Sequence, residues 1–162
     1  MSGFRVHECS KRPRLGFTVA ELVLVMGIVG ILAAIALPKL SGAYSAAASR
    51  SAADRFVRDH ELGRSVAGRY GRDAELHIDA AAGRFWVDAD TNGSGARAVI
   101  GGVHSAAAAG VTITSPDTLL CFDARGLRSS RGLCQSGAAT VVFSRLDRVD
   151  TLQITALGKV LR

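Results

Sequence analysis

Gly16-Phe17-Thr18-Val19-Ala20-Glu21-Leu22-Val23-Leu24-Val25-Met26-Gly27-Ile28-Val29-Gly30-Ile31-Leu32-Ala33-Ala34-Ile35-Ala36-Leu37 is the stretch on which the fold turns. Between Phe17 and Leu37 only Glu21 ionises. As a helix this run would span about 31 Å, close to the hydrocarbon thickness of a bilayer. No later segment approaches it, so the remainder of the chain must fold in water. Lys11, Arg12 and Arg14 precede the run and a lone Lys39 follows it. By the positive-inside rule this charge step puts the N-terminus in the cytoplasm.

Three kinds of protein share that hydropathy: a plain single-span anchor, a secreted β-domain released by signal peptidase, and a prepilin. Ala34-Ile35-Ala36 supplies the small-x-small pattern for the second, with cleavage after Ala36. The residues at the start of the run speak for the third. Gly16-Phe17-Thr18-Val19-Ala20-Glu21-Leu22 resembles the leader junction of type IV prepilins and type II secretion pseudopilins. That resemblance implies cleavage after Gly16 by a prepilin peptidase and N-methylation of Phe17. It also implies that Glu21, the fifth mature residue, pairs with the N-terminal amine of a neighbouring subunit during assembly. Pro38 falls where pilin helices commonly carry a proline. A carboxylate inside a bilayer costs about 2.5–3.5 kcal/mol on insertion scales, so Glu21 calls for a partner or must snorkel to the headgroups.

Beyond Leu37 the pattern turns amphipathic. Leu40, Tyr44, Ala48, Phe56, Val66 and Tyr70 recur near helical spacing, with Arg50, Asp54, Arg58, Asp59 and Arg69 between them. One helix to about Tyr70 is expected, with Pro38 and Gly42 as its bends and Gly71 as its stop. Short alternating segments follow at 75–79, 84–88, 98–103, 111–115, 118–122, 140–144, 150–155 and 159–162, separated by glycine-rich turns. The expected fold is α+β: a long N-terminal helix packed on a small antiparallel β-rich head. The chain divides into a leader at 1–16, a transmembrane or filament-core segment at 17–37, an amphipathic half-helix at 38–71 and a periplasmic head at 72–162. The hairpin directly after the helix, Phe122-Asp123-Ala124-Arg125-Gly126, and Ile154-Thr155-Ala156-Leu157-Gly158-Lys159-Val160 resemble H-type minor pseudopilins and FimT/FimU minor pilins. This second resemblance implies a non-enzymatic subunit of a type II secretion filament. Its alternative is a minor type IV pilin, for which DNA binding in uptake is one open role. Both sit in the bacterial inner membrane with the head outside, and both have other pilins or pseudopilins as partners.

Composition agrees with a one-domain head on an anchor: 162 residues, 48% hydrophobic, net charge +6. Much of the positive excess lies in the leader and in the last quarter of the chain. Of the three cysteines, Cys9 would leave with the leader, and Cys121 and Cys134 form an even pair suited to an oxidising compartment. A disulfide between them is one reading, and two buried thiols are the other. His7, His60, His77 and His104 are scattered without metal spacing, and no nucleophile elbow frames a serine. No catalytic residue and no obligatory cofactor is therefore expected. Asp88-Ala89-Asp90-Thr91-Asn92-Gly93 reproduces the first half of a calcium loop, but Val99 stands where the bidentate acid belongs. Calcium on Asp88, Asp90 and Asn92 is one reading, and an ordinary turn is the other. Arg125, Arg128, Arg131, Lys159 and Arg162 form a cationic set that would suit DNA phosphates, or else a solvated or subunit-contacting face. No aromatic residue is interleaved with them to stack bases.

Overall fold

The computed structural model describes residues 17–130, 134 and 137–162. The leader, including Gly16, and Arg131 lie outside the described residues. Helix α1 runs Val19–Tyr70, and nine strands follow among the described residues. The chain divides into two compact units between Lys39 and Leu40, a boundary that falls between Pro38 and Gly42. Pro38 lies inside the assigned helix.

In the first unit, Thr18 starts the helix. The Glu21 backbone N–H donates to Thr18 Oγ1 at 3.2 Å, which satisfies one of the donors every helix start leaves open. Thr18-Val19-Ala20-Glu21 thus has capping-box spacing, and the Glu21 carboxylate stands in the first turn, where the helix dipole favours negative charge. The side chains from Phe17 to Lys39 are exposed. Among the described residues, α1 is the one helix long and apolar enough to cross a membrane, as expected of a single-pass anchor.

In the second unit, the helix from Leu40 to Tyr70 carries two antiparallel sheets. The strands are β1 (Ala74–Asp79), β2 (Arg84–Ala89), β3 (Ala98–Ser105), β4 (Thr112–Thr114), β5 (Leu119–Phe122), β6 (Arg128–Ser129), β7 (Ala139–Arg145), β8 (Arg148–Ile154) and β9 (Val160–Leu161). The five-stranded sheet has the order β3-β2-β1-β5-β6, and the four-stranded sheet has the order β4-β7-β8-β9. The β1–β2 hairpin is in register from Ala74↔Ala89 to Asp79↔Arg84. Alternation puts Leu76, Ile78, Phe85 and Val87 inward and Glu75, His77, Trp86 and Asp88 on the other face. Helix α1 ends as its sequence indicates. Gly71 takes φ +64° and the Arg72 N–H reaches back to the Ala67 carbonyl at 3.2 Å, closing a Schellman turn.

An aromatic cluster joins the three layers. Phe56 of α1 meets Phe85 of β2 at 5.4 Å and Phe143 of β7 at 5.6 Å between ring centroids, and all three are buried. Two turns further on, Gly63 is bare for a reason: a Cβ there would come within 2.8 Å of the Phe122 ring. The helix faces the sheets with Ser45, Ser49, Ala53, Phe56, Asp59, His60, Gly63, Val66 and Ala67. This corrects the amphipathic expectation at both ends, because Leu40, Tyr44 and Tyr70 are exposed, and Ser45 and Ser49 are buried instead. Small side chains let the helix approach the strands closely. Their hydroxyls are satisfied within the helix, Ser45 Oγ donating to Ser41 O and Ser49 Oγ to Ser45 O, both at 3.0 Å. Asp59, read as a surface charge, is likewise buried.

Candidate functional site

Among the described residues of the head, the histidines do not converge on one point. His60 lies edge-on to Phe122 at 5.0 Å, His77 stacks on Trp86 at 5.0 Å, and His104 sits between Arg55 at 3.0 Å and Asp59 at 3.5 Å. The features that bear on function are therefore the exposed apolar segment and Glu21, the disulfide-closed loop, and the charged residues of the two loop ends.

Cys121 and Cys134 are joined by a disulfide with Cα atoms 5.8 Å apart. Cys121 is on β5, opposite Glu75 of β1, and β5 also pairs with the short β6. The bond therefore ties Cys134 to β5, the strand next to the β6 edge of the five-stranded sheet. Because only 13 positions separate the cysteines, its entropic contribution is modest. Cys134→Ser should lower stability by about 3 kcal/mol, read as a shift in the urea midpoint with and without reductant. Alkylation of both thiols without prior reduction would contradict the bond.

The three oxygens of the calcium-like stretch are engaged separately. Asp88 lies 2.9 Å from His77 Nε2 and 3.2 Å from Arg97 Nη1. Asp90 accepts the N–H groups of Gly93 (2.7 Å) and Gly95 (3.0 Å) and pairs with Arg72. Asn92 Oδ1 accepts from the backbone and hydroxyl of Ser94. Local desolvation pushes the Asp90 carboxyl up, but the bonds from Gly95 and Gly93 and the Arg72 charge outweigh it and hold the group below its ordinary range. Glu75, His77 and Asp88 do bring three possible metal-ligand atoms within 4.8 Å of one another. Arg97 already bridges the two acids, 2.7 Å from Glu75 and 3.2 Å from Asp88.

The cationic set is divided. Arg125 is clamped by Asp123, whose carboxyl it holds low together with the Leu127 N–H. Arg128 donates to Gly137 O at 2.7 Å and is partly buried. Arg162 is shared between Asp150 and Asp54, and those carboxylates raise its pKa. Lys159 is exposed and lies with Arg162, Arg64 and His60 around a shallow hollow, whereas Arg125 lines a different one with Arg72 and Arg97.

Two further residues, Thr18 and His60, take on roles in the fold. Thr18 caps the helix, a role its Thr-x-x-Glu spacing carries openly. His60 is only 1% exposed, and neither ring nitrogen has a hydrogen-bond partner among the described residues. Burial first, then Arg64 and Arg128, push its pKa down to about 4. Only a helical wheel centred on Phe56 would have placed it inside.

A long N-terminal apolar helix followed by a small antiparallel β head is the pilin fold. The type IV minor pilin FimU of Pseudomonas aeruginosa shares it in two crystal forms. One aligns with a TM-score of 0.54 at 20% identity, over 69% of this chain and 85% of FimU. The other aligns with a TM-score of 0.52 at 18% identity, over 69% and 90%. At these identities the likeness is one of fold. No protein-family profile matches the chain.

Proposed function

We propose that this chain is a minor filament subunit of the prepilin class, a structural component rather than an enzyme. The observation that carries the reading is the head's pilin fold joined to an N-terminal segment with Gly16-Phe17 and Glu21 at prepilin spacing. The subunit would be inserted with its N-terminus in the cytoplasm of the inner membrane, cut after Gly16 by a prepilin peptidase and methylated on Phe17. It would then enter a filament through its exposed apolar helix. The sequence order of the head supports a type II secretion pseudopilus exporting proteins. A second reading, a minor type IV pilin, is supported by the fold shared with FimU. DNA uptake is the weaker part of that second reading, because Arg125 and Arg162 are neutralised by their own carboxylates.

Glu21 tests the assembly role. One carboxylate is a small penalty beside an otherwise apolar span, so insertion does not depend on removing it. Glu21→Ala is therefore expected to leave insertion and leader removal intact and to lower cross-linking to neighbouring pilins at least tenfold. Glu21→Asp should keep part of it. Undiminished cross-linking of Glu21→Ala would mean that Glu21 serves only to start the helix beside Thr18.

A further inference from the structure

The turn between β7 and β8 is unusual in chemistry and in place. Arg145 and Arg148 are paired, so Leu146 and Asp147 form the whole loop. Leu146 takes φ +52°, a left-handed conformation that Gly or Asn adopts with far less strain. Its side chain is 81% exposed, and Val149 just behind it is 63% exposed. A turn needed only to reverse the chain has no use for a leucine there. Arg145 lies over the Tyr44 ring at 4.6 Å and donates to the Ala109 carbonyl. Arg148 stands 3.7 Å from the exposed Asp147, and its carbonyl faces Ser49 Oγ at 3.5 Å. The tip therefore pairs a bare apolar residue with two arginines against one acid, beside an exposed tyrosine.

Its place follows from the chain. Arg148 reaches the neighbourhood of Gly42, and Gly42 follows Leu37, the end of the apolar run, by only five positions. Even fully extended, that tether spans at most about 18 Å. The headgroup layer beyond the hydrocarbon adds roughly 5–8 Å on each side, so the tip is held within reach of the bilayer surface. We propose that the β7–β8 tip is a lipid-contacting element: Leu146 and Val149 enter the headgroup–acyl boundary while Arg145 and Arg148 meet anionic headgroups. The inference rests on the membrane-span reading of residues 17–37. A stable protein interface takes about 20–30 residues a side, far more than this tip offers. A tethered head needs only a weak second hold, and apolar-plus-cationic interfacial contacts supply that. The contact would keep the head on the membrane until the subunit is drawn into a filament.

Trp86 is the sole tryptophan, so Trp86→Phe gives a dark background for single reporters in the full-length chain. Leu146→Trp, Leu32→Trp and Asn92→Trp are each placed in vesicles of phosphatidylethanolamine and phosphatidylglycerol bearing brominated acyl chains. Leu32 lies in the apolar run, and Asn92 in the loop beside Arg72, past the far end of α1. Leu32→Trp and Leu146→Trp should each lose roughly half their emission or more, Asn92→Trp almost none. Replacing phosphatidylglycerol with phosphatidylcholine should weaken the quenching of Leu146→Trp alone. If Leu146→Trp stays bright while Leu32→Trp is quenched, the span stands and the tip proposal falls. If its emission follows the protein-to-lipid ratio instead of the bromine, the occupant is a second copy of the chain and the proposal falls. Loss of quenching at Leu32→Trp overturns the span reading, and the tip proposal with it.

Discussion

Phe56→Ala is expected to destabilise the head by about 3–5 kcal/mol, the cost of deleting a fully buried aromatic ring from a core that cannot collapse around the gap. Phe56 is the part of α1 that touches both sheets, through Phe85 on one and Phe143 on the other. Those two rings also meet each other at 6.3 Å. A cavity at that junction loosens three layers at once. Against a typical domain stability of about 5–15 kcal/mol, the loss is a large fraction. Urea unfolding followed through Trp86 on β2 should show a lower midpoint with little change in slope. A shift under about 1 kcal/mol would mean that the sheets hold together without the helix.

Acid is expected to weaken the head through His60. Its folded pKa of about 4 lies below its ordinary value of 6.5. As pH falls through 6.5 the unfolded chain takes up the proton first, and the folded chain resists until about 4. Stability therefore drops across that window and levels off below it. The loss is on the order of 3 kcal/mol, or more than a hundredfold in the unfolding equilibrium. Asp59 acts in the opposite sense: desolvation raises its carboxyl despite the His104, Arg55 and Arg58 charges, so protonation favours the folded state. Comparing the native chain with His60→Leu isolates the histidine. The variant should match or exceed the native stability at pH 7, since its pocket no longer holds two unpaired ring nitrogens, and should lose less between pH 7 and pH 4. Parallel losses in the two proteins would contradict a buried neutral His60.

Much of this architecture is written locally. Alternation in Glu75–Asp79 and Arg84–Asp88 around Ala80–Gly83 gives the first hairpin nearly to the residue, because one face is buried and a one-residue slip would invert it. Gly71 marks the helix end because the Schellman turn needs a left-handed residue there. Other features depend on distant partners. Arg128-Ser129 becomes a strand only by pairing with Phe122 and Cys121, and two polar residues carry no periodicity of their own. The placement of β5 beside β1, and of β4 in the other sheet, is likewise non-local. Ser45, Ser49, Asp59 and His60 read as solvent-facing by residue type, yet they line the packed face. Close helix approach favours small hydroxyls, and the core around Phe122 and His104 encloses the other two.

At the candidate site the division is similar. The Gly16-Phe17 junction and Glu21 are sequence features, and the exposed apolar run of α1 is the surface they would serve. By charge alone Arg125, Arg128, Arg131, Lys159 and Arg162 form one cationic set, but folding hands Arg125, Arg128 and Arg162 to Asp123, a backbone carbonyl, and Asp150 with Asp54. The Asp88–Asn92 stretch looked like one loop, but the β2 pleat turns Asp88 toward Arg97 and His77 while Asp90 and Asn92 brace the turn. Charge patterns along a sequence report which groups are present, and their partners across strands decide what remains available.

The most direct test is the mass of the N-terminal peptide of the chain extracted from membranes of a cell that carries a prepilin peptidase. The prepilin account predicts a chain that begins at Phe17 with its amine N-methylated. A mature chain beginning at Leu37, or one that retains Met1 to Gly16, would contradict it.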